Sequence, residues 1–423
     1  MEKQSYRVVV LSFEGPDAYS FVGGLGVRIA ELTQALSEAE IPTQLIFIGE
    51  PDAPAVERVS PDLELRRWGQ WISTHHRGGV YDGEAGKVLD FSRSVPLFLA
   101  EEVIPSAAAR GEKILVLAED WQTADAIILL DRMLRGRGLR HAATLVWNAN
   151  NTYGFERVDM PALAAAATLT AVSKFMKFEL AAIGVPSLVI PNGIPPRLLN
   201  GPAEAHVKAI REAVGSRPFF AKVGRYTADK AWIQAVDGIA GLREQGIPAR
   251  LIVRGGKEAY GEEVMAQARR RGLRVVEVRS TGRDIAQICD AIKASDGHII
   301  DLRAFLEEPL LYALYAAADG VLANSKKEPF GLVGLEVMAA GGIAVCGSTG
   351  EEYAAPFVNA LVTDTDDGRE LSTVLATLLH EPELGKSIRS AGKETARRYL
   401  WPTIIEMLWR KLPFIEELQH RSP

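Results

Sequence analysis

The chain has 423 residues, of which 47% are hydrophobic and 24% charged, and its formal net charge is -6 at pH 7. These values predict a globular protein with two or three domains and exclude a disordered or fibrous chain. Because nucleic-acid binders are usually basic, the acidic balance also disfavours that class. The two cysteines, Cys289 and Cys346, lack CxxC spacing, which predicts buried thiols and neither a disulfide nor a zinc site.

The amino terminus passes from polar residues into a short apolar segment and lacks the apolar core of a signal peptide. No apolar run reaches the roughly 18 residues of a membrane-spanning helix. We therefore expect a cytoplasmic protein without a transmembrane segment.

Short β-rich runs alternate with longer helical patterns along the chain. In the first half we predict strands at 6–13, 43–48, 113–118, 143–148, 168–172 and 187–190, and helices at 26–40 and 123–135. A linker is predicted at 195–201, followed by strands at 219–223, 250–254, 275–279, 298–302, 320–323 and 343–346, a helix at 230–244 and a surface helix at 401–419. This alternation predicts an α/β protein of two doubly wound parallel sheets, with a cleft between them lined by loops at the strands' carboxyl ends. The predicted domains are 1–195 and 196–400, with 401–423 as a C-terminal helix.

A glycine-rich loop lies between the first predicted strand and the first helix, in the segment FVGGLGVRIAEL at 21–32. Glycines allow close backbone approach, and a helix start can face a phosphate. The loop is not the dinucleotide fingerprint GxGxxG, so a purely structural turn is the alternative. We assign Gly24 to nucleotide-sugar binding.

Two further loops of the first half suit a sugar. Asp120 and Trp121 follow the strand at 113–118, where a carboxylate can hold a hydroxyl and an indole can stack on a sugar ring; Asp120 could equally be only a helix N-cap. The segment WNANNTYGF at 147–155 places Asn150 and Asn151 among aromatic residues, which suits polyol recognition.

The segment KVGRYTADKAW at 222–232 places two cations after a predicted strand. Arg225 and Lys230 could neutralise a departing diphosphate there. The alternative is an exposed basic loop, which is the usual setting of Lys and Arg.

The most informative segment is EPFGLVGLEVMAAGG at 328–342, where Glu328 precedes a glycine turn at Gly331 and Glu336 lies about one turn into a predicted apolar helix. Backbone N–H groups at such a helix start favour an anion. The carboxylates would repel phosphate and suit neutral diols. Together these groups fit a nucleotide-sugar.

A literal DxD sequence, Asp364-Thr365-Asp366, is also the manganese-binding signature of one class of sugar transferases. It lies in a loop before a helix that starts near Arg369, where Asp residues cap helices. We therefore predict no metal site.

Together these segments resemble retaining glycosyltransferases of the GT-B architecture, of family four and its glycogen and starch synthase relatives. The segment at 328–342 is similar to that family's E-x7-E region, and GRYTADK is similar to its G-R-x4-K diphosphate clamp. VIPNGI at 189–194, GGLG at 23–26, DWQT at 120–123 and RRYLW at 397–401 also resemble family elements. The last of these implies a final helix that returns to the N-terminal domain.

The resemblance implies roles for individual residues. Glu336 would hold the ribose and Glu328 the donor sugar, while Arg225 and Lys230 would stabilise the diphosphate without a metal. The backbone N–H groups of Phe330, Gly331, Leu332 and Val333 would hold sugar hydroxyls and phosphate. The anomeric configuration would be retained, and the leaving phosphate would take the acceptor's proton.

The chain departs from those relatives in two places. Phe21 and Val22 stand where glycogen and starch synthases have Lys-Thr before GGLG, which weakens the case for a polyglucan synthase. Asn150 or Asn151 stands where the relatives have a histidine near the donor sugar, and an amide cannot titrate.

We therefore predict a metal-independent retaining glycosyltransferase that needs no cofactor and uses UDP-glucose or a related nucleotide-sugar. Its partners would be that donor and a small carbohydrate acceptor, such as a sugar or sugar phosphate; a weak homo-oligomer stays open. Basic residues that could hold an acceptor phosphate, or simply be solvated, are Arg28, Arg157, Lys174 and Lys177. The alternatives are a glycoside phosphorylase, an NDP-sugar epimerase or a nucleotide- or sugar-binding regulatory protein.

Overall fold

The computed structural model describes residues 6–279, 284–304, 306–347, 350 and 352–421. The chain divides into two compact units. Unit 1 combines Met1–Pro195 with Trp401–Pro423, and unit 2 is Pro196–Leu400.

Unit 1 is built on an eight-stranded sheet. Its strands are β1 (Tyr6–Leu11), β2 (Thr43–Ile48), β3 (Val56–Ser60), β4 (Leu63–Trp68), β5 (Lys113–Glu119), β6 (Ala143–Ala149), β7 (Thr168–Ala171) and β8 (Leu188–Val189). They lie in the order β3-β4-β2-β1-β5-β6-β7-β8, and β3–β4 is an antiparallel pair in an otherwise parallel sheet. Successive residues of β1 from Val8 to Leu11 are fully buried, so both faces of the sheet are covered at this strand.

The helices of unit 1 are α1 (Gly24–Glu38), α2 (Gln70–Ser73), α3 (Glu84–Phe98), α4 (Ile104–Ala109), α5 (Ala124–Gly136), α6 (Met160–Ala166) and α7 (Lys174–Ala182). A π-helical segment, Leu99–Val103, joins α3 to α4. The C-terminal helix, Trp401–Arg421, packs within the same unit. The Trp401 N–H donates to the Ile194 carbonyl (3.0 Å), and the Glu416 carboxylate accepts from the Tyr6 hydroxyl (2.7 Å).

Unit 2 carries a seven-stranded parallel sheet in the order β11-β12-β10-β9-β13-β14-β15. The strands are β9 (Phe219–Val223), β10 (Arg250–Arg254), β11 (Val275–Arg279), β12 (Ile299–Arg303), β13 (Gly320–Ala323), β14 (Ala344–Cys346) and β15 (Leu361–Val362). The helices are α8 (Glu204–Val214), α9 (Trp232–Glu244), α10 (Tyr260–Arg270), α11 (Ile285–Ala294), α12 (Glu308–Ala317), α13 (Leu332–Ala339), α14 (Gly368–His380) and α15 (Pro382–Arg397).

The strand order reverses at the first strand of each unit. β1 lies between β2 and β5, and β9 lies between β10 and β13. In doubly wound sheets, ligands bind outside the carboxyl ends of the strands at such a switch point. Ligand sites are therefore expected at four loops: those after β1 and β5 in unit 1, and those after β9 and β13 in unit 2.

The structure corrects several predicted elements. The helix predicted from residue 230 begins at Trp232, because Ala231 has a left-handed backbone (φ 51°) that interrupts it; Lys230 instead ends a 3-10 turn. The predicted linker contains a 3-10 turn, Pro196–Asn200. The β3–β4 hairpin was not predicted, because its strands are short and charged and β3 is mostly exposed.

Both cysteines are free thiols, but only Cys346 is fully buried, whereas Cys289 is half-buried. Burial raises the pKa of Cys346 to about 12, so this thiol is unreactive at neutral pH. Within the described part of the chain, no helix has both the length and the apolar character to cross a membrane.

The contact between Gly193 and Trp401 yields a stability prediction. A Cβ atom at Gly193 would lie 2.4 Å from Trp401 Cδ2, and that indole is 1% exposed. We expect Gly193→Ala to lower the free energy of unfolding by about 1–3 kcal/mol through overpacking, measured as a lower Tm. The control is Gly136→Ala, where the added Cβ meets nothing within 4 Å at the end of α5. An unchanged Tm for Gly193→Ala would show that the indole moves aside freely.

Candidate active site

The amino terminus of α13 is held in place by an aromatic cluster. Gly331 precedes the helix with a left-handed backbone (φ 78°), and the Tyr353 hydroxyl donates to its carbonyl. The Tyr353 ring lies 5.8 Å from that of Phe330 and 6.0 Å from that of Tyr399. Because the first N–H groups of a helix have no partner within it, this support holds anion-binding donors in a fixed position.

The predicted carboxylate pair flanks this helix start. Burial raises the pKa of Tyr353 well above its usual range, and the nearby charges of Glu328 and Glu336 raise it further. Both carboxylates therefore lie close enough to act on one phenol beneath the helix start. Glu336 is half-buried on α13, as its predicted position one turn into the helix requires.

Lys230 and Glu328 meet at the switch point of unit 2. The Lys230 ammonium donates to the Glu328 carboxylate, and the two side chains are 19% and 23% exposed. Lys230 comes from the turn after β9 and Glu328 from the loop after β13, and these strands are neighbours in the sheet. The structure thus brings together one cation of the predicted clamp and one carboxylate of the predicted pair.

Arg225 lies in the same loop but is exposed, and its backbone carbonyl accepts from the Trp232 indole N–H (2.8 Å). Thr227, two residues further on, has a buried hydroxyl oxygen without a hydrogen-bond partner among the described residues. Sequence reasoning missed this hydroxyl, because a threonine in a loop carries no signal of its own.

Sequence reasoning also missed Lys222, which is 3% exposed on β9. Its ammonium donates to the Asn324 side-chain oxygen (2.6 Å) and to the Leu322 carbonyl (3.0 Å). Burial lowers its pKa to about 7, while the nearby Glu328 acts in the opposite direction. A lysine inside the otherwise apolar strand FFAKV was the available signal.

In unit 1, the glycine loop encloses a carboxylate of the chain itself. Glu14 Oε2 accepts from the backbone N–H groups of Gly26 (2.9 Å), Gly23 (3.1 Å) and Val22 (3.3 Å). The Tyr81 hydroxyl donates to the other oxygen of Glu14 (2.5 Å). The N–H of Gly24, the predicted binding residue, is not among these three donors. Sequence reasoning left open a phosphate contact or a structural turn at this loop, and it overlooked Glu14.

Asp120 is held in a strained loop after β5. Its backbone (φ 62°, ψ 173°) lies in a region that is rarely adopted by residues other than glycine. Its carboxylate accepts from the Asn150 backbone N–H and the Asn151 side-chain amide, each at 2.9 Å. Asp120 does occupy the N-cap position of the 3-10 turn that follows, but its carboxylate makes no capping hydrogen bond there. Burial, with a smaller contribution from Glu119, raises the pKa of Asp120 to about 7.

Arg28, predicted either to hold an acceptor phosphate or to be solvated, is buried and paired. Its guanidinium donates twice to Glu119 (3.1 Å each) and also to the Asn192 side chain. The side-chain amides of Asn148 (2.9 Å) and Asn150 (2.6 Å) donate to the same Glu119 carboxylate. Within this buried network, Glu119 compensates the charge of Arg28 and accepts a hydrogen bond from Asn150, a residue of the predicted sugar site.

Trp121, predicted to stack on a sugar ring, lies beside Tyr153, with ring centroids 6.5 Å apart. The Arg157 guanidinium lies 4.7 Å from the centroid of the Trp121 ring and 5.7 Å from that of Tyr153. Lys174 and Lys177 are exposed on the first turns of α7. Of the predicted basic residues, Arg157 lies over the Trp121 ring.

The residues of the DxD segment form hydrogen bonds and an ion pair with other side chains of unit 2. The backbone N–H groups of Asp364 and Thr365 both donate to the Glu370 carboxylate (2.8 Å each), and Asp366 pairs with Lys326 (2.6 Å). The N-cap of α14 is Asp367, whose side chain accepts from the Arg369 N–H (2.8 Å). Among the described residues, no group of three or more His, Cys, Asp or Glu side chains is placed to hold a metal ion.

The raised pKa of Asp120 predicts a pH dependence of stability. Because the folded-state pKa of about 7 exceeds the ordinary 3.8, the folded chain binds this proton more tightly than the unfolded chain. Asp120 therefore costs stability as the pH rises from about 4 to about 7, and the full cost persists above that. Asp120→Asn should remove a cost of the order of 2–4 kcal/mol at pH 8 and much less at pH 4.

Thermal unfolding of the variant and of the wild type at pH 4, 6 and 8 measures this cost. Asp125→Asn, an exposed site on the first turn of α5, is the matched control. A Tm difference between Asp120→Asn and the wild type that does not grow with pH would contradict a carboxyl pKa near 7.

Known proteins resemble this chain in part of its sequence and in its whole fold. Residues 298–395 match the Glycosyl transferases group 1 family. Mannosylfructose-phosphate synthase of Agrobacterium fabrum is 27% identical over 213 residues, which are 48% of this chain. That alignment spans 43% of the relative's length, less than half of it.

Among solved structures, sucrose-phosphate synthase from Thermosynechococcus elongatus superposes with a TM-score of 0.67 at 18% identity, covering 96% of this chain and 98% of that one. The α,α-trehalose 6-phosphate synthase of Burkholderia multivorans gives 0.65 at 14% identity, with 99% of both chains covered. HepE of Anabaena, in complex with UDP and glucose, gives 0.62 at 17% identity, covering 96% of this chain and 99% of that one. The predicted GT-B fold is confirmed by these structures, and the family match confirms a glycosyltransferase domain within residues 298–395.

Proposed function

We propose that this protein transfers a hexose, with glucose favoured, from UDP-glucose or a related nucleotide-sugar to a hydroxyl of a sugar or sugar phosphate. The transfer retains the anomeric configuration and requires no metal. The observation that carries the proposal is the Lys230–Glu328 pair at the switch point of unit 2, beside the amino terminus of α13. A cation, a carboxylate and free N–H groups there match the diphosphate and hydroxyls of one ligand.

In this proposal unit 2 binds the donor. Glu336 accepts hydrogen bonds from the ribose hydroxyls, and the N–H groups at the start of α13, from Phe330 to Val333, bind sugar hydroxyls and phosphate. Lys230 turns from Glu328 to the diphosphate when the donor enters, which leaves the Glu328 carboxylate to accept from the donor sugar. The buried Lys222 adds positive charge behind this pair when it is protonated.

The chemical step exchanges one bond at the anomeric carbon for another. The bond from that carbon to the diphosphate oxygen breaks, and the acceptor oxygen bonds to the same carbon from the same face. The acceptor's proton passes to the leaving phosphate, so no protein base is needed. Arg225 and Lys230 stabilise the charge that grows on the diphosphate, which is where electrostatic catalysis has its largest effect.

Unit 1 supplies the acceptor groups in this proposal. Asp120 accepts from an acceptor hydroxyl, and the Trp121 ring provides an apolar face for a sugar. Asn150 and Asn151 act through their neighbours, since their amides already hold the carboxylates of Glu119 and Asp120. In this proposal the asparagines at the position of the family's histidine orient carboxylates.

The relatives guide the choice of ligands to test. Some structural neighbours are UDP-forming α,α-trehalose-phosphate synthases, one of them in complex with glucose-6-phosphate. HepE of Anabaena has been crystallised with UDP. At 14–16% identity these structures carry the fold, and their ligands are candidates for this chain.

The decisive experiment measures release of UDP from UDP-glucose with and without a panel of hexoses and hexose phosphates, in excess EDTA. We expect release that depends on an acceptor, and a product with the donor's anomeric configuration by NMR. A strict need for a divalent cation would contradict metal independence. UDP binding without turnover would favour a regulatory protein. Isomerisation of the donor without an acceptor would favour an epimerase, and phosphate-dependent cleavage without a nucleotide a phosphorylase.

Arg225→Ala tests the diphosphate clamp. Because the charge that Arg225 meets grows in the transition state, we expect kcat to fall about 100-fold, with a much smaller change in the Kd of UDP. Initial rates and a thermal-shift titration measure the two quantities. Arg369→Ala, at a side chain that is 91% exposed, is the control. An unchanged kcat for Arg225→Ala would remove Arg225 from the clamp.

A further inference from the structure

We infer that unit 2 has a second anion site, at the amino ends of its strands, which binds a phosphate group either as free phosphate or as a phosphate monoester. The site is formed by the arginine cluster, which consists of Arg217, Arg243, Arg250 and Arg274. The proposed donor groups follow the carboxyl ends of the strands, at the opposite edge of the same sheet. Along β10, from Arg250 to Arg254, the two edges are about 13 Å apart at about 3.3 Å per residue.

The cluster arises because four neighbouring strands begin beside a basic residue. The sheet order β11-β12-β10-β9 places these four starts next to one another. Arg274 directly precedes β11, His298 directly precedes β12, and Arg250 is the first residue of β10. The Arg250 backbone N–H donates to the Pro218 carbonyl (2.9 Å), so Arg217 lies beside the start of β10.

The loop before β12 receives two of the guanidinium groups on its backbone carbonyls. Arg250 donates to the carbonyls of Gly297 (3.0 Å) and Ser295. Arg274 donates twice to the carbonyl of Asp296, at 2.8 and 3.0 Å. Carbonyl oxygens carry no formal charge, so these bonds fix the guanidinium groups in place and leave their charges uncompensated.

Arg250 is the residue that points to a ligand. It is 1% exposed, and its Nη1 has no hydrogen-bond partner among the described residues. Burial lowers the pKa of Arg250, and so do the charges of the other three arginines, of which Arg217 acts most strongly; the charge of Asp296 acts in the opposite direction. A buried cation among other cations is stabilised by an anion. That anion would contact the exposed arginines and compensate Arg250 through its charge.

Arg243 and His298 leave the cluster with a surplus of hydrogen-bond donors. Arg243 Nη2 lies 3.2 Å from His298 Nε2, and the backbone N–H of Arg274 donates to His298 Nδ1 (3.2 Å). Burial, together with the charges of Arg243 and Arg274, lowers the pKa of His298, so its ring is neutral at pH 7. A neutral imidazole has one acceptor nitrogen and can satisfy only one of these two donors.

A structural role explains two members of the cluster and leaves a third unexplained. Arg243 lies in the last turn of α9, where the helix dipole favours a cation, and Arg250 bridges loop carbonyls. Arg217, by contrast, is exposed and has no hydrogen-bond or ion-pair partner among the described residues. Because its charge lies close enough to act on both Arg243 and Arg250, it costs free energy there unless an anion joins them.

The chemistry of the cluster selects a small phosphate. Guanidinium groups bind phosphate oxygens through paired N–H donors. An extended polyanion is disfavoured, since the whole chain has a formal net charge of -6 and the cluster is confined to four strand starts. Asp296 pairs with Arg274 (3.2 Å) but is 71% exposed, so a phosphate can replace it at little cost and leave its carboxylate in water.

The first arm of the test titrates inorganic phosphate into the full-length protein at constant ionic strength, with sodium chloride as the balancing salt. We expect a saturable rise in Tm for the wild type at millimolar phosphate, and at least tenfold weaker binding by Arg217→Gln. Arg132→Gln, at an exposed arginine of α5, should behave as the wild type does. A wild type without a saturable shift, or equal affinities of the wild type and Arg217→Gln, would overturn the inference.

The second arm separates this site from the donor site. Arg225→Ala removes a cation of the proposed diphosphate clamp and should keep the wild-type affinity for inorganic phosphate. A phosphate shift that is lost in Arg225→Ala and retained in Arg217→Gln would place the phosphate in the donor site and refute the arginine cluster as its site. Since neither measurement needs UDP or turnover, the site is tested even if the proposed transferase function fails.

The third arm identifies the form of the phosphate, with glycerol 3-phosphate titrated beside inorganic phosphate. A lower Kd for glycerol 3-phosphate indicates a phosphate monoester as the ligand, and an equal or higher Kd indicates free phosphate. Arg217→Glu, which reverses the charge at an exposed position, should abolish the binding of both probes. Binding of both probes that survives this reversal unchanged would contradict the inference.

Discussion

The convergence of strand ends at the switch point of each sheet decides where the polar groups of both units lie. β1 and β5 pair in parallel, so the loops that carry Glu14 and Asp120 leave the sheet side by side. β9 and β13 do the same for Lys230 and Glu328. Residues about 100 positions apart in the chain thus become neighbours, because parallel strands share a carboxyl edge.

A second constraint is that a buried charge must be compensated. Removing a carboxylate from water without partners costs several kcal/mol. Each of the carboxylates named at these sheet edges has hydrogen-bond or ion-pair partners. Glu328 pairs with Lys230, Glu119 with Arg28, and Glu14 with three backbone N–H groups. Asp120 has only amide donors and a strained backbone, and its raised pKa reflects that weaker compensation.

These pairings also determine which protein contacts a bound ligand must replace. A diphosphate that binds Lys230 has to replace Glu328 as its partner, and a sugar that binds Glu328 can take the place of the ammonium. One nucleotide-sugar can provide the diphosphate for Lys230 and the sugar hydroxyls for Glu328. Neither buried charge is then left without a partner.

Much of this could be predicted from residues that are close in the sequence. The strand at 43–48 and those of β9, β10, β11 and β13 were predicted with the bounds that the structure has, since short apolar runs between turns define buried parallel strands. The glycine turn at Gly331 and the helix after it were predicted from EPFGLVGLEVMAAGG, because their signals are local. Lys222 and Thr227 were missed, because a buried amine or hydroxyl is recognised by its environment and not by its neighbours in the chain.

The sequence by itself determined the α/β class, the donor-side motif and its similarity to glycosyltransferases, because local periodicity and residue spacing encode them. Only the tertiary structure decided which charges meet. It put Glu328 on Lys230, closed Arg28 into a pair with Glu119, and filled the glycine loop with Glu14, 12 residues before Gly26 in the chain. These partners are chosen by distance in the folded chain, and charge compensation across strands leaves no periodic trace in the sequence.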